Sequence, residues 1–189
     1  QETVGKDAKY LLHYPTVYIV NDKNKEKQFS VYIGETSDIK KRTIQHLTVD
    51  PKTRSDWENL AISGSSKMYV IGHEHFNKSL TLDIENKLML YMSSIENVDA
   101  VYNRRTNQQN DYFTSHELDN IFSKVWRGLQ KKNKELFPVE QIIRDSAIFK
   151  ASPFHKLTEE QIRTKDFITL RIMEALTREK TGQLILVTG

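Results

Sequence analysis

Tyr18, Tyr32, Arg42, His46, Glu85 and Asn103 are the residues of this chain whose types and order could combine to hydrolyse a phosphodiester. That reaction needs an activated water, neutralisation of the charge that builds on a pentavalent phosphate, and stabilisation of the leaving oxygen. On a hairpin, Tyr18 and Tyr32 can present two phenols on the same face of adjacent strands. A phenol titrates near ~10, too high for a base at neutral pH. A nearby cation or metal must lower the cost of its deprotonation. Arg42 can supply that charge, and its planar fork suits phosphate oxygens. Taken singly, each residue has an ordinary explanation. The tyrosines read as strand aromatics, Arg42 and His46 as one solvated helix face, Glu85 as a surface carboxylate and Asn103 as a turn former.

The elements that must position them follow from patterning. Pro15 to Val20 and Phe29 to Ile33 are rich in Val, Ile, Tyr and Phe, and the polar stretch 21–28 joins them, which predicts a β-hairpin with a long loop. Ser37 and Asp38 can cap a helix running to Leu47, with Ile39, Ile44 and Leu47 on one face and Pro51 closing it. Lys67 to Gly72 reads as a third strand. Leu80 to Ile95 reads as a helix, since Ile84, Leu88, Tyr91, Met92 and Ile95 recur at helical spacing. Asp99 to Asn103 is short and partly β-like. Thr114 to Glu117 matches a capping box, opening a helix with Leu118, Ile121, Phe122, Val125, Trp126 and Leu129 on one face. A further helix is expected from about Thr158 to Lys180, and Leu184 to Val187 as an apolar strand.

Thr16-Val17-Tyr18 and Tyr32-Ile33-Gly34 resemble the paired tripeptides of the GIY-YIG endonuclease superfamily, the first degenerate and the second intact. Arg42, His46, Glu85 and Asn103 follow in the family's order, and the resemblance spans about residues 14 to 113. It implies an α/β fold with a small three-stranded, mainly antiparallel sheet flanked by helices, and a mostly helical C-terminal extension. It also implies metal-dependent cleavage of DNA, in preference to RNA. In this assignment Tyr18 is the general base, assisted by His46, and Tyr32 positions the water or a phosphate oxygen. Arg42 clamps the phosphate, and Glu85 holds Mg²⁺ or Mn²⁺. Asn103 holds that carboxylate or the leaving side, and Gly34 keeps the substrate's approach open.

The bulk properties are compatible with this. The chain has 189 residues, no cysteine, 28% charged residues and a net charge of +3, so any case for a nucleic-acid partner rests on placed residues. There is no apolar run near membrane-spanning length, and a cytoplasmic protein is expected. The expected division is a nuclease-like domain over 1–115, a helical linker over 116–150, and the start of a further domain over 151–189. Ser152 to Gln161 looks similar to the segment preceding the phosphate-binding loop of superfamily-one helicases, and Leu184 to Gly189 looks like the strand leading into that loop. On this resemblance Thr158 and Gln161 would contact adenine only in a longer bacterial protein with a helicase-like ATPase. His73 and His75 form a candidate metal pair lacking a third partner. The cations Lys131, Lys132 and Lys134 read first as a solvated helix end. Two competing functions remain: a nucleic-acid-binding module without cleavage, and a protein-interaction domain docking through the helix over 116–132.

Overall fold

A computed structural model describes residues 8–54, 57, 60, 65–102, 112–146, 149 and 159–177. Strands β1 (Thr16–Lys23) and β2 (Phe29–Thr36) form the expected antiparallel hairpin. Strand β3 (Lys67–Ile71) pairs antiparallel with the other edge of β1. The three-stranded expectation needs correction: β4 (Val98–Tyr102) adds to β2 in parallel, giving a four-stranded mixed sheet in the order β3-β1-β2-β4. The run over 99–103 reads as partly β-like, but its place beside β2 does not show in the sequence; that pairing comes through a crossover helix, α4 (Lys78–Ser93), of the kind a parallel neighbour requires. Besides α4, the helices whose bounds lie within the described residues are α1 (Ala8–Leu12), α2 (Ile39–Thr48), α3 (Asp50–Thr53), α5 (Leu118–Lys132), α6 (Glu140–Asp145) and α7 (Glu159–Thr177).

Strand alternation gives the sheet two buried faces. Val17, Ile19, Val31 and Ile33 face a large core with Leu80, Ile84 and Leu88 of α4 and Phe122 and Trp126 of α5. Tyr18, Val20 and Tyr32 face a smaller cluster with Ile39, Trp57 and Leu60. Trp126 is fully buried, and its indole N–H donates to the Pro138 carbonyl at 2.9 Å, which satisfies the one polar atom it carries inside. The helix read as part of a linker therefore belongs to the core, and the first compact unit runs through Ser152. Residues 153–189 form a second compact unit, whose described part is α7. Phe167, Leu170, Met173 and Leu176 are exposed there. No described helix is long and apolar enough to cross a membrane.

Three local expectations fail for identifiable reasons. Ile44 and Leu47 are 62% and 69% exposed, because α2 turns Ile39 and His46 inward instead. Pro51 does not close α2; it occupies the first turn of α3, where its missing N–H costs nothing. Thr114 caps no helix. It takes a left-handed φ of 79°, is followed by a 3-10 turn over Ser115–Glu117, and its hydroxyl accepts from the Asn77 amide at 3.3 Å.

Candidate functional site

The cluster begins with strand register. Tyr18 lies opposite Gly34 and Val20 opposite Tyr32, so the two tyrosines are diagonal neighbours on one face. Their ring centroids are 6.1 Å apart with planes 25° from parallel. Gly34 is required there. A Cβ at that position would lie 2.6 Å from Tyr18 Cζ, so the glycine is the seat on which the Tyr18 phenol rests. That differs from the expected role of clearing a path for substrate.

Helix α2 then delivers the cation and the imidazole. Asp38 caps it as expected, its carboxylate accepting from the Lys41 backbone N–H at 2.9 Å. Arg42 donates through Nε to Tyr18 Oη at 3.0 Å and through Nη2 to Tyr32 Oη at 3.3 Å. One guanidinium thus ties both phenols. His46, four residues on and facing the same way, places Nε2 2.8 Å from Tyr18 Oη.

Three further residues belong to this cluster. Asp50 lies 2.5 Å from His46 Nδ1 through Oδ2, and its Oδ1 accepts from Gln45 Nε2 at 3.2 Å. Trp57 stacks on the imidazole with centroids 3.8 Å apart and donates its indole N–H to the His46 carbonyl at 2.6 Å. Arg54 places its guanidinium carbon 5.1 Å from the Tyr32 ring centre and Nη1 3.5 Å from the Tyr32 hydroxyl. The signal for Asp50 was present in the sequence: Arg42, His46 and Asp50 are spaced by four, one helical turn each. Arg54 and Trp57 carry no such signal.

Comparison with protein-family models, with curated proteins and with solved structures found no match. The chemistry of the cluster must be read from its own atoms.

Electrostatics describe its resting state. Burial, reinforced by the neighbouring Tyr32 phenol, pushes the Tyr18 hydroxyl above its ordinary range, against the pull of Arg42. Burial and then the Arg42 cation lower His46 to about 4, outweighing Asp50. Burial opposes ionisation of Arg42, but the two phenols outweigh it and hold the guanidinium charged. At neutral pH the cluster is therefore a protonated phenol, a neutral imidazole and a guanidinium. Tyr18 and Tyr32 are 0% and 2% exposed, while Arg42 and Arg54 are half-buried and form its outer, cationic side.

Of the six expected residues, four meet: Tyr18, Tyr32, Arg42 and His46. Glu85 stands on α4 and is 5% exposed, on a helix whose apolar residues pack the sheet face opposite the phenols. Asn103 lies outside the described residues, as do Thr158 and the run 184–187; Gln161 falls within α7. The His73 and His75 rings are 5.2 Å apart, and His75 is bonded to Glu117. Among the described residues no group of three or more His, Cys, Asp or Glu is arranged to hold a metal ion.

Proposed function

We propose that the Tyr18–Tyr32–Arg42–His46 cluster hydrolyses phosphodiester bonds in DNA, in the manner of the GIY-YIG endonucleases the sequence resembles. The observation that carries the reading is one guanidinium donating to two phenols, one of which is also bonded to a neutral imidazole. In this reading Arg42 exchanges its phenol contacts for a phosphate oxygen, and Arg54 adds a second cation on the same side. Tyr18 takes a proton from the attacking water, and Tyr32 orients that water or a phosphate oxygen.

Glu85 is the residue assigned to a divalent cation. A single carboxylate suits Mg²⁺ or Mn²⁺, hard cations that keep several waters. The helix that carries Glu85 packs its apolar residues on the sheet face opposite the phenols, so no step at the cluster is routed through that ion. The chain's own residues carry those steps: Arg42 binds and orients, Tyr18 and His46 hold and move the proton.

A second reading is favoured by a separate observation. Tyr18 is fully buried with its phenol pushed away from ionisation, which fits a module that binds nucleic acid through Arg42 and Arg54 without cutting it. Incubating the chain with supercoiled plasmid and Mn²⁺, beside Tyr18→Phe and Glu85→Ala, separates the two. Cleavage by wild type and by neither variant supports the nuclease. Binding without cleavage in any metal supports the module, and salt-sensitive binding distinguishes both from a protein-docking role.

A further inference from the structure

We infer that Asp50 is a positioning residue: it fixes the tautomer of His46 so that Nε2 accepts the Tyr18 hydroxyl proton, making Tyr18, His46 and Asp50 one proton relay. The purpose of that relay rests on the nuclease reading, whereas its geometry stands independently.

Asp50 is 3% exposed, and both its oxygens are engaged. Oδ1 accepts the Gln45 amide at 3.2 Å, which leaves Oδ2 turned to His46 Nδ1 at 2.5 Å. A carboxylate can only accept, so Nδ1 carries the proton of a neutral imidazole and Nε2 offers its lone pair. The atom 2.8 Å from that lone pair is Tyr18 Oη. Tyr18 Oη in turn accepts from Arg42 Nε at 3.0 Å, a donor that cannot receive the phenol's proton, whereas the Nε2 lone pair can. Trp57 stacks on one face of the ring and anchors the His46 backbone by donating to its carbonyl, which supports the orientation that Asp50 sets.

The order of acceptors is that of a nucleophile–imidazole–carboxylate triad, with a phenol in place of the hydroxyl nucleophile. In the proton step the water's proton passes to Tyr18 Oη as the Tyr18 proton passes to His46 Nε2. The phenol ends neutral, and the hydroxide oxygen bonds to phosphorus as the P–O bond to the leaving alkoxide breaks. That alkoxide takes a proton from solvent, and the imidazolium faces the Asp50 carboxylate until it releases its own proton to solvent. No free phenolate is needed, which removes the difficulty raised by the buried phenol. The Arg42 cation is the second cause of the imidazole's low basicity, after burial. A phosphate paired with Arg42 would neutralise that cation and make His46 a better acceptor when substrate is present.

Asp50→Asn tests this directly. Gln45 donates to the side-chain carbonyl oxygen of the variant and holds it on its own side, so the new amide nitrogen donates to His46 Nδ1. The imidazole must then carry its proton on Nε2, pointing at an oxygen that already accepts from Arg42. Long-range ¹H–¹⁵N spectra of labelled protein read the tautomer, with the His46 signals identified as those lost in His46→Gln. Expected are an Nδ1–H tautomer in wild type at neutral pH, an Nε2–H tautomer in Asp50→Asn, and a fall in the cleavage rate of roughly 10²–10⁴ with KM unchanged. A wild-type Nε2–H tautomer overturns the inference even if the variant does not fold. An Asp50→Asn protein that keeps Nδ1–H, or switches tautomer and cuts like wild type, also overturns it. A correct pair of tautomers in a chain that cuts no substrate supports the positioning role and rejects the nuclease reading instead.

Discussion

Tyr18 and Tyr91 are both fully buried, and burial pushes both phenols upward, Tyr91 to about 12, yet they serve opposite faces of the sheet with different partners. Tyr91 donates to the Glu140 carboxylate at 2.8 Å, and Arg144 grips the same carboxylate through two nitrogens. Its ring lies among Phe122, Trp126 and Phe149. Such a phenol pins α4 to α6. Among the described residues Tyr18 is bonded to a donor, Arg42, and an acceptor, His46, and not to a carboxylate. Equal burial therefore conceals unequal purpose. A phenol tied to an ion pair holds structure, whereas a phenol held between guanidinium and imidazole has the partners that the proposed proton transfer requires.

The contrast can be broken or sharpened by substitution. Trp126→Ala, in the core that Tyr91 shares, should cost about 3–5 kcal/mol in chemical denaturation while leaving cleavage per folded molecule unchanged. Gly34→Ala places a methyl where the Tyr18 ring lies and should cost about 1–3 kcal/mol. Unlike Trp126→Ala, it should also lower cleavage per folded molecule, because it displaces the phenol from Arg42 and His46.

Acid should act on the Tyr18 side of the sheet. His46 titrates near about 4 in the fold, below its ordinary ~6.5, so between those values the unfolded chain binds the extra proton. Stability contributed by the neutral imidazole is complete above about 6.5 and declines as pH falls toward about 4. The slope is at most about 1.4 kcal/mol per pH unit, and His46→Gln should remove it from denaturation curves collected across that window. Smallest is Tyr91→Phe, which deletes one hydrogen bond while Glu140 keeps Arg144. A loss of about 0.5–1.5 kcal/mol is expected by thermal or chemical unfolding.

Much of the frame was legible before the structure. The hairpin was visible because its aromatic and β-branched runs flank a polar loop, and α4 because its apolar residues repeat at helical spacing. Asp38 announced its cap. The site was legible only where chemistry and order coincided, in Tyr18, Tyr32, Arg42 and His46. Asp50 was hidden because Asp-Pro after a helix reads as a stop, although its spacing from His46 is one turn. Trp57 and Arg54 reach the cluster only through tertiary folding, which no local pattern encodes. The inward face of α2 was misread for a related reason. Burial there follows the phenols' polar partners and not hydrophobicity, so Ile44 and Leu47 were left outside. The β character of the run over 99–103 was partly visible, but its parallel pairing with β2 is a long-range contact that no local pattern encodes.

The most direct trial of the central claim compares Tyr18→Phe with Tyr91→Phe, each losing one buried hydroxyl and nothing else. Nicking of supercoiled plasmid in Mn²⁺, normalised to folded protein, should fall by roughly 10²–10⁴ for Tyr18→Phe and stay at the wild-type rate for Tyr91→Phe. A Tyr18→Phe protein that nicks DNA as fast as wild type would contradict the claim that this phenol moves the proton.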